Sequence, residues 1–106
     1  MRILITGSNG MIGRNIIKLL SKKKNKIYCL DLNQNTLKNY KLKYIQCDLL
    51  NFSKLISKTS KMRFDTIIHL AGFLGVEKST ISELECIETN LQGTVNVMKL
   101  SKLTKI

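Results

Sequence analysis

The chain has 106 residues, which is enough for one domain with a modest core and too few for two. No apolar run approaches the ~18–20 residues of a membrane span, and Met1-Arg2 leads straight into Ile3-Leu4-Ile5 without a hydrophobic leader, so a membrane protein is excluded and a cytoplasmic globular one is expected. The net charge of +11 invites a nucleic-acid reading, but residues 1–63 carry 14 bases against 2 acids while residues 64–106 carry 4 against 5, and the lysines are scattered among Asn and Ile in a chain with one Ala and no Pro, a compositional bias that requires no nucleic acid as partner.

Arg2-Ile3-Leu4-Ile5-Thr6 is a brief, nearly continuous apolar run of the kind that is buried on both faces of a parallel sheet, and Gly7 ends it. From Met11 onward Ile12, Ile16, Leu19 and Leu20 recur at helical spacing, with the lysines of 22–24 suited to the carboxyl end of a helix. Lys26–Leu30 reads as a second strand ending at Asp31, and Lys43–Cys47 as a third ending at Asp48; residues 32–42 between them are polar and fit a short helix or an irregular crossover. Residues 53–61 form a helix capped near Asn51, and residues 66–70 form a fourth strand that runs into Ala71-Gly72. The last third is a helix opened by the capping box Ser82-x-x-Glu85, with an apolar face of Leu84, Ile87, Leu91, Val95 and Met98. Gly93 interrupts that face and predicts the close approach of another backbone.

Alternating strands and helices imply right-handed crossovers and a doubly wound parallel α/β sheet of the Rossmann type, here with about four strands. In such sheets the ligand lies at the carboxyl ends of the strands, where Gly7–Gly13, Asp31, Asp48 and Ala71-Gly72 converge. The loop Thr6-Gly7-Ser8-Asn9-Gly10-Met11-Ile12-Gly13 lets the backbone turn tightly against a pyrophosphate at a helix N-terminus. It lacks the Gly-Lys-Ser/Thr of a P-loop. Asp31 follows Gly13 by 18 residues, close to the ~20 expected of a carboxylate that accepts from an adenosine ribose. That carboxylate would repel a 2′-phosphate, which favours NAD over NADP, although Lys38 or Lys41 could soften the preference. Cys29, Cys47 and Cys86 are odd in number and include no C-x-x-C pair, so they are expected to be reduced, small hydrophobes, with no metal site among the candidates.

The spacing T-G-x-x-G-x-x-G, with Cys47-Asp48-Leu49, His69-Leu70-Ala71-Gly72 and Asn90-Leu91-Gln92-Gly93-Thr94-Val95-Asn96-Val97, resembles the short-chain dehydrogenase/reductase superfamily. Its extended branch, the NAD-dependent nucleotide-sugar epimerases and dehydratases, fits best; Gly72 departs from it mildly, since many of those proteins carry Ala there. The resemblance implies that Gly7, Gly10, Met11, Ile12 and Gly13 line the pyrophosphate, that Asp31 holds the adenosine ribose, and that Asp48 and Leu49 edge the adenine. It further implies that Leu70, Ala71 and Gly72, followed by Phe73 and Leu74, run beneath the nicotinamide ribose, and that Asn90 reaches the cofactor or braces the sheet. His69 is read as structural.

The same resemblance calls for a Tyr-x-x-x-Lys pair as proton-transfer machinery. Four residues beyond Tyr28, Tyr40 and Tyr44 stand Leu32, Tyr44 and Asp48, so the pair is missing and no catalytic residue is assigned. Residues 1–106 are therefore expected to be the NAD(P)-binding leading portion of a longer fold, inactive alone, with a nucleotide-sugar substrate relevant only to a full-length protein. The fourth strand would be an open edge, which predicts marginal stability and leaves room for homo-oligomers. The alternative is a non-enzymatic NAD(P)-sensing or protein-interaction module of the same fold.

Overall fold

The four apolar runs all become strands, and the order in which they pair determines where a ligand can sit. The computed structural model describes residues 1–34, 37, 41–73 and 82–106. Its elements in chain order are β1 (Arg2–Thr6), α1 (Met11–Leu20), β2 (Lys26–Asp31), β3 (Leu42–Gln46), α2 (Phe52–Thr59), β4 (Thr66–His69), α3 (Glu83–Ile87), a π-helical turn (Glu88–Gln92) and α4 (Gly93–Leu103). The strands form one parallel sheet in the order β3-β2-β1-β4. Chain order reverses between β1 and β4, so the switch point lies at the carboxyl end of β1. The crossover between β2 and β3, expected as a helix or an irregular segment, lies partly outside the described residues.

Side chains alternate across the sheet, and each face has its own cluster. Ile3, Ile5, Ile27 and Cys29 pack with Ile17 of α1 on one side, whereas Leu4, Tyr28, Leu30 and Ile45 pack with Leu55 of α2 and Val97 and Leu100 of α4 on the other. This is the doubly wound arrangement, and it explains why the central Ile3-Leu4-Ile5 of β1 is apolar on both faces. Each fully buried aliphatic side chain such as Ile17, Leu55 or Leu4 contributes about 1.5–3 kcal/mol. The thiols of Cys29 and Cys47 belong to these clusters, and burial pushes the Cys29 thiol up to about 12, so it acts there as a hydrophobe. At the amino ends of the strands, Arg2 Nη2 donates to Asp65 Oδ1 at 2.7 Å and the Arg2 N–H to Asp65 Oδ2 at 2.6 Å, which ties β1 to the start of β4 and holds the Asp65 carboxyl down at about 2.

The C-terminal helix packs by a different face from the one its sequence suggests. Leu84, Ile87, Leu91, Val95 and Met98 are between 42% and 65% exposed, while Gly93, Asn96, Val97 and Leu100 are buried. The buried face is hidden from hydropathy counting because it includes an Asn. Asn96 is buried because its Nδ2 donates to Leu49 O at 2.7 Å and its Oδ1 accepts from Gln92 Nε2 at 3.0 Å. The expectation for Gly93 is also corrected: a Cβ there would meet the Leu49 side chain at 3.7 Å, an ordinary contact, and no backbone of another element among the described residues. Gly93→Ala is therefore expected to raise stability by about 0.4–1 kcal/mol through helix propensity and a stiffer unfolded chain. The shift of the urea midpoint checks this, and a destabilised variant would contradict the contact geometry.

Candidate cofactor-binding site

Two adjoining clefts, of ≈ 300 and ≈ 460 Å³, open over the carboxyl ends of the strands and share Gly7, Gly10, Leu70, Ala71, Gly72 and Phe73. Asp31, Asp48 and Leu49 line the first, over β2 and β3; Met11, Ile12, Gly13 and Asn90 line the second, over α1 and β4. All twelve residues singled out from the sequence thus face one continuous groove across the switch point. Leu74, expected to follow Phe73 beneath a ribose, lies outside the described residues, as does Lys38.

The groove exists because two glycines allow backbones to touch. Gly7 has φ +66°, and a Cβ on it would stand 2.7 Å from Ala71 N and 2.8 Å from Leu70 C. A Cβ on Gly13 would stand 2.5 Å from Gly7 O and 2.9 Å from Ser8 Cα. Either side chain would force the β1–α1 turn away from the end of β4 or from the first turn of α1. The amino end of α1 is left open by its sequence: Gly10 supplies no side-chain cap and the first turn has no acid. In contrast, Asn51 Oδ1 caps α2 by accepting from Lys54 N at 3.0 Å, and Ser82 with Glu85 forms a full capping box on α3. An uncapped N-terminus behind a glycine cradle suits an anion.

Asp31 stands at the end of β2 with one oxygen accepting from Asn9 N at 2.9 Å and the other from Asn33 N at 3.1 Å. These two N–H groups fix the carboxylate while leaving each oxygen a further lone pair for a hydroxyl donor. Asp48 is exposed, and its Oδ1 accepts from Leu50 N at 2.9 Å in an Asx turn. Exposed Leu32 and Leu50, which the sequence reading passed over, complete apolar walls beside the two acids.

Asn90 lies in the π-helical turn, and its amide is engaged at both ends by the Phe73 peptide: Oδ1 accepts from Phe73 N at 2.8 Å and Nδ2 donates to Phe73 O at 3.0 Å. That geometry braces the segment after β4. It also accounts for the tightness at Gly72, where a Cβ would meet Asn90 Oδ1 at 2.9 Å.

A second set of bonds, invisible in the sequence because its partners are up to 65 positions apart, surrounds His69. Thr94 Oγ1 donates its single proton to Asn90 O at 2.6 Å, so it can only accept from His69 Nε2 at 3.0 Å. His69 Nδ1 is then the bare nitrogen, accepting from Thr6 Oγ1 at 2.6 Å, and Thr6 Oγ1 in turn accepts from Leu70 N at 3.1 Å and Ala71 N at 3.3 Å. The network closes only around the neutral imidazole with its proton on Nε2. Burial lowers the His69 pKa from 6.5, consistent with that state.

The chain matches the NAD dependent epimerase/dehydratase family over residues 3–106 and belongs to it. Among its relatives, a dTDP-D-glucose 4,6-dehydratase from Dictyostelium discoideum is 30% identical over 99% of this chain and 27% of its own length, and a UDP-glucose 4-epimerase from Erwinia amylovora is 30% identical over 93% and 32%. Among solved structures, a monomeric L-threonine 3-dehydrogenase from a metagenome superposes with a TM-score of 0.82 at 30% identity, over 97% of this chain and 33% of that one. A UDP-glucose 4-epimerase from Bifidobacterium longum, in complex with NAD+ and UDP, gives 0.83 at 22% identity, over 100% and 35%, and shows the shared fold. The chain therefore spans about a third of the length of the relatives it matches.

The His69 state makes a pH prediction. Its folded pKa lies below the unfolded 6.5, so the unfolded chain takes up more protons and the stability present above pH 6.5 is lost as pH falls through the folded value. Urea midpoints should thus decline from pH 7.5 to 5.5, and His69→Gln should flatten that slope. The Asp65 pair acts in a separate window, between 3.8 and about 2. A His69→Gln chain with the same decline would contradict this assignment.

Proposed function

We propose that the chain is the NAD-binding portion of a nucleotide-sugar epimerase or dehydratase and is catalytically silent by itself. The observation that carries the reading is the single groove in which a glycine cradle, an uncapped helix N-terminus and a fixed carboxylate follow one another in the order of a dinucleotide's pyrophosphate and adenosine ribose. The residues present fit such a cofactor. Gly7, Gly10 and Gly13 leave the space a Cβ would fill, and the N–H groups at the start of α1 face the phosphate charge. Asp31 accepts from ribose hydroxyls, Asp48 and Leu49 edge the adenine, and Leu70, Ala71 and Gly72 support the nicotinamide end. NAD, when bound, supplies a reversible hydride acceptor for a sugar carbon.

What the chain itself offers to that chemistry is binding and orientation. Tyr28 is buried in the sheet core, Tyr44 lies on β3, and neither has a Lys four residues on. Tyr40, which lies outside the described residues, is followed at that distance by Tyr44. No proton-transfer pair of the family's kind is therefore available from this chain, and the substrate site belongs to a longer protein of which this chain would be one part.

Calorimetric titration with NAD and NADP tests the reading. NAD is expected to bind more tightly than NADP. Asp31→Ala should weaken NAD by about 1.5–3 kcal/mol, as expected for hydrogen bonds to a charged group, and narrow the preference. Gly13→Ala should abolish binding of both. A folded chain that binds neither nucleotide would overturn the proposal, and an equal response of NAD and NADP to Asp31→Ala would overturn the role of that carboxylate.

A further inference from the structure

Asn9 lies where the glycine loop meets the segment after β2, and it makes more contacts than a turn needs. Its backbone N–H donates to Asp31 Oδ2 at 2.9 Å, while its side-chain Nδ2 donates to Asn33 O at 3.2 Å and to Gln34 O at 2.8 Å. Asn33 N closes the circuit by donating to Asp31 Oδ1 at 3.1 Å. One residue thus fastens the cradle, the carboxylate and the Asn33–Gln34 backbone into a single piece.

The direction of the amide follows from its partners, since exchanging Nδ2 and Oδ1 would set an oxygen against two carbonyl oxygens. Its Oδ1 is buried and has no partner among the described residues. The side chain therefore spends both amide protons on one short stretch of backbone while its oxygen has no partner among the described residues, which is the arrangement of a clamp. No other side chain is seen to bond the Asn33 and Gln34 carbonyls among the described residues.

We propose that Asn9 is a positioning residue for the adenosine half of the dinucleotide, acting through Asp31 by clamping the Asn33–Gln34 backbone to the glycine loop. The inference rests on the dinucleotide reading and deepens it. Without the clamp, the Asn33 N–H loses its fixed place and Asp31 keeps only one of its two orienting donors. The carboxylate then spends part of its time turned away from the ribose. The nicotinamide end, held from the other half of the groove by Leu70–Gly72, is indifferent to the clamp.

Two variants separate the possibilities. Asn9→Ala removes both donated bonds, and Asn9→Asp keeps the shape but faces a carboxylate to two carbonyls. Binding of ADP-ribose to the 106-residue chain is measured by calorimetry, and that of nicotinamide mononucleotide by saturation-transfer NMR. Both variants are expected to weaken ADP-ribose by roughly tenfold or more and to leave the mononucleotide within twofold. Amide hydrogen exchange without ligand should accelerate at Asn33 while β1 and β2 stay protected, a selective effect that a general loss of stability would not give. If wild type binds ADP-ribose and both variants bind it equally well, the positioning role is overturned and the dinucleotide reading stands. If wild type binds neither ADP-ribose nor NAD, the dinucleotide reading falls and takes the role with it. Should neither variant fold, wild-type exchange decides: fast exchange at the Asn33 amide refutes the clamp, and protection comparable to the strand ends upholds it.

Discussion

The contact on which the rest depends is the passage of Gly7 over the end of β4. With φ +66° and no side chain, Gly7 lies so close that a Cβ would fall within 2.7 Å of Ala71 N. Thr6, one residue earlier, presents a hydroxyl that accepts from both Leu70 N and Ala71 N and donates to His69. The sheet's switch point is therefore sealed by backbone and a single hydroxyl. The groove above it is open because nothing bulkier occupies that space. A side chain at residue 7 would separate β1 from β4 at the point where a dinucleotide would cross from one half of the sheet to the other.

From that point the site is built outward in two directions. Toward β2 and β3, Asn9, Asp31 and Asn33 form a closed circuit of hydrogen bonds beside an Asx turn at Asp48. Toward β4 and α4, His69, Thr94 and Asn90 form another, which ends on the Phe73 peptide. Both circuits use polar groups to orient backbone, so the residues that would touch a cofactor are mostly glycines, aliphatics and main-chain N–H groups. The large positive charge of the chain takes little part. Among the described residues its lysines are exposed and line neither cleft.

The strands and the groove were legible in the sequence because their causes are local. The middle of β1, Ile3-Leu4-Ile5, is buried on both faces and so reads as an apolar run, and the glycines that permit close approach sit at fixed short intervals. What the sequence does not display is non-local. Thr6 meets residues more than sixty positions away, and Asn9 meets residues more than twenty away. The packing face of α4 is hidden for a related reason: it contains Gly93 and Asn96, and the amide of Asn96 is satisfied by Leu49 O, a partner no periodicity can reveal. The more apolar stripe through Leu91, Val95 and Met98 stands exposed.

The family to which the chain belongs is shown by a match that spans residues 3–106, and what is proposed beyond that is that this third of the relatives' length carries a working dinucleotide groove. Backbone amide shifts of the chain titrated with NAD test that claim most directly. The account predicts that the perturbed amides cluster at Gly7–Gly13, Asp31–Asn33, Asp48–Leu50 and Leu70–Phe73, on both sides of the switch point and in saturable fashion. Perturbations scattered over the exposed lysines, confined to the Leu84–Met98 stripe, or absent from a folded chain at millimolar NAD would contradict it.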